Sequence, residues 1–538
     1  MKDLLSKAIR RSSIANLQNQ EEHGPKLSRV LSAWDLFVAG FGCIIGAGIF
    51  VLTGVAAAQH AGPGIIISFA LAGALCALVA MAYAELASMI PVAGSAYTYA
   101  RASLGELISM LIGWDLILEY NVGASGVAVG WSGYLQAMLK EAGITLPTAL
   151  SHAPASIPWG SLLLTILLVG GAFLSFRRAY QLRFATMFDT GWQCPHNFTF
   201  LGIVLSIASF WPADTLFQKL ESIDLLAVLI VMSINVLLIL GVKMAARATF
   251  VLVILQALVL VLFIGLGTPH IDPANYSDFL PFGFGGVLTG AAIVFFAYIG
   301  FDSVTTLAEE CKDPQRDLPR GILSSLIVCT ILYMVMAAVM TGAAHYSLLG
   351  TEAPVTEVLK QIGSNWAIPI IAVGVIAGLT STLLVLLLGQ SRVLMRMSKD
   401  GLLPPALGKI NHRFRTPATS IMLLGALVSI CAGLLPIEEL AELCNIGTLA
   451  AFVVVCLGVV ILRYQEPERA RKFLCPGMPW LPIVGAISCV ALMVSLPMQT
   501  WIRFLGWMIL GMIIWIFYGS KHSKLNNLNA EPSRSDQG

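Results

Sequence analysis

The sequence predicts an all-α protein that crosses a membrane many times. Three observations carry that prediction. Of the 538 residues, 57% are hydrophobic and only 12% charged, with a mean hydropathy of +0.82, far from the balance of a water-soluble domain. The apolar residues gather in stretches close to the roughly 20 residues that span a bilayer. The positive charges are sorted: with the N-terminal tail placed inside and the side alternating at every stretch, all of the 32 Lys and Arg fall inside except Lys140, Lys219, Lys360 and Arg503. Cytoplasmic loops carry such an excess.

The elements follow in order. Residues 1–32 are polar and charged, lead straight into the first span without a cleavable-signal pattern, and read as a cytoplasmic tail. Fourteen spans follow, at about 33–60, 63–90, 105–136, 159–176, 198–213, 223–241, 244–267, 286–309, 320–343, 366–397, 417–435, 442–463, 480–498 and 501–519. No loop is long enough for a separate soluble domain, so 33–519 reads as one membrane domain. Residues 520–538, rich in Asn, Ser and charge, read as a disordered cytoplasmic tail. The expectation is a multi-pass protein of a bacterial inner membrane with both termini inside.

The region 157–222 does not fit the pattern and reads as an insertion. Its short runs 159–176 and 198–213 flank the basic segment from Phe176 to Arg183. If both cross, Arg177, Arg178 and Arg183 lie inside, as the charge rule favours; if both lie on the surface, the later topology is unchanged, because two spans preserve parity. The ten cysteines are scattered, without a CxxC pair or zinc spacing. Cys194 and His196 share a loop, but two residues do not make a metal site. Neither metal nor disulfide is expected.

Two spans are interrupted by glycine: Gly46-Ala47-Gly48-Ile49-Phe50 in the first, and Ala297-Tyr298-Ile299-Gly300-Phe301-Asp302 in the eighth. A helix that opens inside a bilayer must rehouse N–H and C=O groups that lipid cannot satisfy, and it does so where they line a cavity. Matched breaks in two halves of a chain point to a transporter's substrate site. With the insertion set aside, five helices begin at Ala33 and five more near Gly286, each set opening with its broken helix. This is the pattern of a five-plus-five inverted-repeat transporter fold, broken at helices 1 and 6 of a twelve-helix core, with a two-helix insertion.

The breaks suit a zwitterion. Gly46, Ala47 and Gly48 let a ligand approach the backbone, and the helix resuming at Ile49 offers unpaired N–H groups and a positive dipole end to a carboxylate. The half-helices ending near Ile44 and Ile45, and near Phe296 and Ala297, leave carbonyls for an ammonium; Ile299 stands in the second break. One isolated Gly-x-Gly would read as close helix packing; two at matched positions favour binding. Asp302 follows the second break and Glu119 lies inside the third span, and intramembrane carboxylates face interior cavities and partners. Either could meet a basic substrate side chain, bind a proton or brace an unwound backbone. Asp115 reads more blandly.

Several stretches together resemble the cationic amino acid transporter branch of the amino acid, polyamine and organocation superfamily. They are Phe41 to Val55 (FGCIIGAGIFVLTGV), Tyr83 to Arg101 (YAELASMIPVAGSAYTYAR), Gly113 to Tyr120 (GWDLILEY), Gly241 to Arg247 (GVKMAAR), Phe295 to Glu310 (FFAYIGFDSVTTLAEE) and Gly389 to Pro404 (GQSRVLMRMSKDGLLP). They run in family order over roughly 30–520; the insertion departs from the family pattern. The resemblance implies alternating access, Phe296 as an aromatic lid over the substrate, and Lys243 pointing toward the first broken helix, where sodium-coupled relatives of the fold hold a cation. A lysine there would make proton coupling possible, because its pKa shifts readily on burial. On topology alone Lys243 is a positive-inside anchor, and Thr380 and Ser381 would coordinate sodium if it points elsewhere.

The reading is thus a secondary amino acid transporter: its partners are an amino acid, a proton and membrane lipid. Sodium coupling or exchange stands as the alternative. The family implies arginine, lysine or ornithine, while bacterial-looking members carry neutral amino acids such as alanine. No cofactor and no nucleic-acid partner is implied, and no P-loop is present to use ATP. A channel would need a continuous polar pore, and a membrane enzyme a cluster of His, Asp or Glu in a sizeable loop.

Overall fold

The computed structural model describes residues 2–12, 31–153 and 223–528, apart from positions 91, 93, 142, 145, 148, 149, 152, 241, 352 and 412–415, and without the side chains of 2–5, 240–248, 309, 310, 527 and 528. The expected runs 159–176 and 198–213 lie outside the described residues.

The described chain is helical throughout. A short helix α1 (Lys2–Ile9) precedes α2 (Ala33–Ile44), α3 (Ile65–Met89), α4 (Ser95–Ser103) and α5 (Glu106–Glu141). From residue 223 onward come α6 (Leu225–Leu240), α7 (Val242–Gly267), α8 (Gly283–Val294), α9 (Pro314–Ala343), α10 (Pro354–Gln361) and α11 (Ile368–Lys399). The last four long helices are α12 (Ala418–Leu434), α13 (Ile437–Gln465), α14 (Trp480–Val494) and α15 (Met498–Ile514). Eight helical stretches are long and apolar enough to cross a membrane, and four shorter apolar helices accompany them, among the described residues. The shorter helix Ala33–Ile44 reflects an internal break: an interrupted span is two half-helices, neither long enough to cross alone.

Local signals set the elements. Ser32 caps α2: its hydroxyl accepts from Asp35 N–H at 3.4 Å, while Ser32 N–H donates to Asp35 Oδ2 at 2.8 Å, a reciprocal capping box. The Asp35 carboxylate thus serves as the third-position partner of the cap. Small residues then let helices approach. A β-carbon at Gly42 would lie 2.3 Å from Val253, one at Gly374 2.0 Å from Val259, and one at Gly378 2.4 Å from Gln256. Glycines on α2 and α11 therefore receive one stripe of α7, the close packing that membrane helices use where no hydrophobic force separates protein from lipid.

The broken segments sit among α3, α5, α9, α11 and α13. Helix α9 packs on α2 and α3, α11 on α5 and α7, and α13 on α5 and α14. On the face that carries the basic loops, buried charges tie elements together. Arg101 Nη1 lies 3.3 Å from Asp400 Oδ2, which also accepts from Tyr97 Oη at 2.7 Å. Glu85 accepts from Cys475 N–H at 2.8 Å and pairs with Arg463 and Arg471.

Described segments near both ends of the chain, at 10–12 and 515–524, make polar contacts there too. Glu106, fully buried, pairs with Arg10 at 3.3 Å and accepts from Trp515 Nε1 at 3.2 Å and Ser523 Oγ at 2.8 Å. Ser12 N–H donates to Arg101 O at 3.2 Å. The expectation of a disordered tail from residue 520 is therefore corrected for 520–528. Ser523 meets the buried Glu106, and Lys524 N–H donates to Asp400 O at 3.1 Å, so specific polar contacts order a segment with little apolar surface. Positions 529–538 lie outside the described residues.

Candidate functional site

Both glycine-interrupted spans open. Helix α2 ends at Ile44, and Ile45 is extended at φ −77° and ψ 100°. Helical structure resumes in a π-helical turn over Gly48–Leu52. In the second span α8 tightens to a 3-10 turn over Phe295–Tyr298, after which Ile299 is extended at φ −60° and ψ 134°. Gly300 follows at φ +110°, left-handed backbone that only glycine adopts without strain, and a β-carbon there would lie 2.8 Å from Cys43 Sγ.

The two breaks touch. A β-carbon at Gly48 would stand 2.3 Å from Ala297 Cα. Beside this contact lies a cavity of about 20 Å³ lined by Cys43, Ile44, Gly46, Ala47, Gly48, Phe296 and Ile299 of the breaks, with Gly123, Val127, Thr382 and Leu386 behind them. That is room for one water. The lining carries no charged side chain.

Side chains from the surrounding helices serve the carbonyls that the breaks free. Gln256 Nε2 on α7 donates to Ile45 O at 2.6 Å, and Thr382 Oγ1 on α11 donates to the same oxygen at 3.0 Å. The Tyr333 hydroxyl on α9 lies 2.7 Å from Ile44 O and 2.8 Å from Ala297 O, its single proton shared across both breaks. Thr53 Oγ1 donates to Gly48 O at 3.2 Å, and Tyr134 Oη to Phe50 O at 2.7 Å. In a dry interior a carbonyl freed at Ile45 or Ala297 would go unpaired without such a donor, at a cost of about 1–3 kcal/mol.

The sequence-predicted residues divide into two sets. Ile44, Gly46, Ala47, Gly48, Phe296 and Ile299 line the cavity; Ile45 and Ala297 do not, but their carbonyls are the ones held by Gln256, Thr382 and Tyr333. Phe296 approaches α5, where a β-carbon at Gly126 would sit 3.3 Å from its ring. Asp302 and Glu119 are outside the lining. Asp302 Oδ2 accepts from Ser95 Oγ at 3.0 Å and Tyr120 Oη at 3.2 Å, bracing the segment after the second break. Glu119 and Asp115, one helical turn apart on α5, are buried, and Glu119 Oε1 and both oxygens of Asp115 have no hydrogen-bond partner among the described residues. Thr380 donates to Ile376 O at 2.7 Å and accepts from Trp131 Nε1 at 3.0 Å; Ser381 Oγ is buried and has no partner among the described residues.

The side chain of Lys243 lies outside the described residues, but the helix that bears it does not. Lys243 stands thirteen positions before Gln256 on α7, about 20 Å of helical rise from the residue that meets the first break.

The profile of the amino acid permease family matches residues 31–518. The chain belongs to the amino acid permease family. This permease is 42% identical to the branched-chain amino acid permease BcaP of Bacillus subtilis over 519 residues, covering 96% of this chain and 99% of that one. It is 39% identical to the methylthioribose transporter of the same organism, over 97% of this chain and the whole of the relative. It is 29% identical to cationic amino acid transporter 4 of Arabidopsis thaliana over 97% of each. The permease is a multi-pass membrane transporter of the superfamily that its motifs resemble, and not an enzyme.

Sequence reasoning missed the residues that hold the breaks open. Tyr333 stands in an apolar run like any other, and Gln256 is a lone amide in the stretch VLVILQALVLVLF. The available signal was polarity at mid-span: a side-chain amide in hydrocarbon is costly unless it has a partner, so Gln256 had to face the bundle.

Proposed function

We propose that this permease is a secondary active transporter that carries a small aliphatic L-amino acid, branched-chain ones included, by alternating access. The observation that carries this reading is the lining of the cavity between the breaks: freed main-chain groups for the charged head of an amino acid, and Ile44, Ile299, Val127, Leu386 and Phe296 for an apolar side chain, with no charged side chain among them. The 42% identity to a branched-chain permease supports it. A cationic substrate is the second reading, favoured by the carboxyls of Asp115, Glu119 and Asp302; they stand outside the cavity lining, so it ranks below.

Transport is driven by a proton, entering with the amino acid, in a bacterial inner membrane with both termini inside. Carboxyl groups inside a bilayer are the material of proton relays, and Asp302 lies two residues past Gly300. Lys243 remains the other candidate carrier, acting from its own end of α7. The two sets of five helices, each opened by a break, support the inverted repeat, in which rocking of the halves parts the breaks.

Competition in proteoliposomes tests the reading. Uptake of labelled leucine is expected to be displaced by isoleucine, valine and alanine and not by arginine, and to be driven by an inward pH gradient with sodium replaced by choline. Displacement by arginine in preference to leucine overturns the substrate class. Lys243→Ala and Asp302→Asn, measured under the same gradient, separate the two proton carriers: the variant that loses gradient-driven uptake but keeps exchange identifies the carrier.

A further inference from the structure

Helices α12 and α15 each pack on α5 and leave a wedge between them, a cavity of about 480 Å³. Leu423 and Leu427 of α12 line it, with Ile513 and Phe517 near the end of α15, and Trp114 and Trp507. The two indoles stack at 4.6 Å, and each donates its N–H to the other residue's carbonyl at 3.0 Å. Their polar atoms are spent on each other, and the wedge offers apolar surface alone. Leu423, Leu427, Ile513 and Phe517 are exposed, so it opens on the outside of the bundle. Segment 403–407 closes it at the face of the basic loops, and lysines gather there. Lys399, Lys409, Lys521 and Lys524 are exposed, and none pairs with an acid among the described residues. They share one knot of chain: a β-carbon at Gly408 would lie 2.8 Å from Ser398 Oγ, one at Gly401 2.2 Å from His522 O, and Lys524 N–H donates to Asp400 O at 3.1 Å.

We propose that this wedge is a binding site for one anionic phospholipid, with an acyl chain between α12 and α15 and the phosphate at Lys399, Lys409, Lys521 and Lys524. The acyl chain follows from where the wedge opens: an apolar cleft facing hydrocarbon is filled by hydrocarbon, because unfilled walls forfeit their dispersion contacts. The chain does not choose the lipid, since a tail gains little by leaving bulk lipid for an equally apolar wall. Choice comes from the lysines, each worth about fivefold in affinity for an anionic surface. Two other segments of this chain fit worse. Residues 529–538 hold no large apolar side chain. The apolar runs of 157–222 carry Arg177, Arg178 and Arg183 between them, which the lysines would repel.

Native mass spectrometry of the purified full chain in detergent tests the site, with dioleoyl phosphatidylglycerol and dioleoyl phosphatidylcholine as probes. One phosphatidylglycerol is expected to be retained at concentrations about tenfold below those that phosphatidylcholine needs. Replacing the four lysines together with glutamine should abolish that preference. Leu427→Trp, which fills the wedge from an exposed position, should weaken phosphatidylglycerol to the level of phosphatidylcholine with every lysine in place. Equal retention of the two lipids, a preference that survives loss of the lysines, or phosphatidylglycerol binding untouched by Leu427→Trp would each overturn the proposal. So would a chain that retains neither lipid, the outcome if residues 157–222 or a second copy cover the wedge. Should a variant not fold, the unaltered chain still decides through its headgroup preference and through dihexanoyl phosphatidylglycerol, whose short chains are expected to bind more weakly; equal binding of the short and long lipids overturns the acyl site.

Discussion

Replacing Tyr333 with phenylalanine removes a single oxygen from the molecule, yet that oxygen meets a carbonyl of each of the two breaks. It lies 2.7 Å from Ile44 O and 2.8 Å from Ala297 O. The ring itself is retained, and its edge contacts with Phe69 and Tyr298, at centroid distances of 5.3 Å each, are unaffected by the loss. The expected cost comes from the carbonyls. One hydroxyl proton shared between two acceptors is worth one good hydrogen bond rather than two, so Tyr333→Phe should cost about 1–3 kcal/mol, the penalty for leaving a buried acceptor unpaired.

That cost falls on whichever arrangement makes the bridge. The present one has the breaks in contact, with a β-carbon at Gly48 only 2.3 Å from Ala297 Cα, so the closed arrangement loses the bond and a parted one does not. The equilibrium between them should shift toward the parted form by about 5- to 150-fold. Two measurements check it. Chemical denaturation in detergent should show the loss of stability, and accessibility of a cysteine placed at Val127, in a cysteine-reduced background, to a small thiol reagent should rise by the same factor. A Tyr333→Phe protein with unchanged stability and unchanged accessibility would refute the claim that this hydroxyl ties the two broken helices together.

Other outcomes follow from the same coordinates. Gly48→Ala drives a methyl group into the Ala297 backbone, where glycine packing leaves no flexible atom to give way; uptake should fall below detection while the protein still inserts, and normal uptake would sink the proposed contact. Asp400→Asn leaves Arg101, only 2% exposed and 3.3 Å from the carboxylate, without its partner. Breaking a buried pair from one side costs about 3–5 kcal/mol, and the double replacement Arg101→Leu with Asp400→Leu should recover much of the loss, both read by denaturation. Glu106→Gln weakens the node that holds Arg10, Trp515 and Ser523, so limited proteolysis should cut both chain ends faster than in the unaltered protein, with the membrane core spared.

The helices were legible because their signal is redundant: twenty or so apolar residues per span and a sorted charge pattern tell the same story many times. The breaks were legible for a different reason. Gly300 takes φ +110° and Gly48 meets Ala297 backbone to backbone, and both conditions select glycine strongly enough to mark the chain. What could not be read was tertiary reach. Asp302 and Glu119 are carboxylates near the breaks in sequence, and only the positions of Ser95, Tyr120 and Gly447 show that the acids sit behind the cavity instead of in it. The order at 520–528 depends on Glu106, four hundred residues earlier, and no local pattern announces such a partner.

Lys243 and Gln256 show where pattern and register part company. A lysine in GVKMAAR draws a role through the family resemblance, although topology alone makes it an anchor, while a glutamine in an aliphatic run draws none. Packing reverses the order of interest. Val253 of α7 fits over Gly42, Gln256 over Gly378 and Val259 over Gly374, and these three contacts fix how far along α7 each residue stands. Once Val253 is level with Gly42, the residue near Ile45 must come about one turn later, which selects Gln256 and leaves Lys243 near the start of its helix. The charge of a residue says what it could do at the break, but the glycines opposite α7 decide which residue is there to do it.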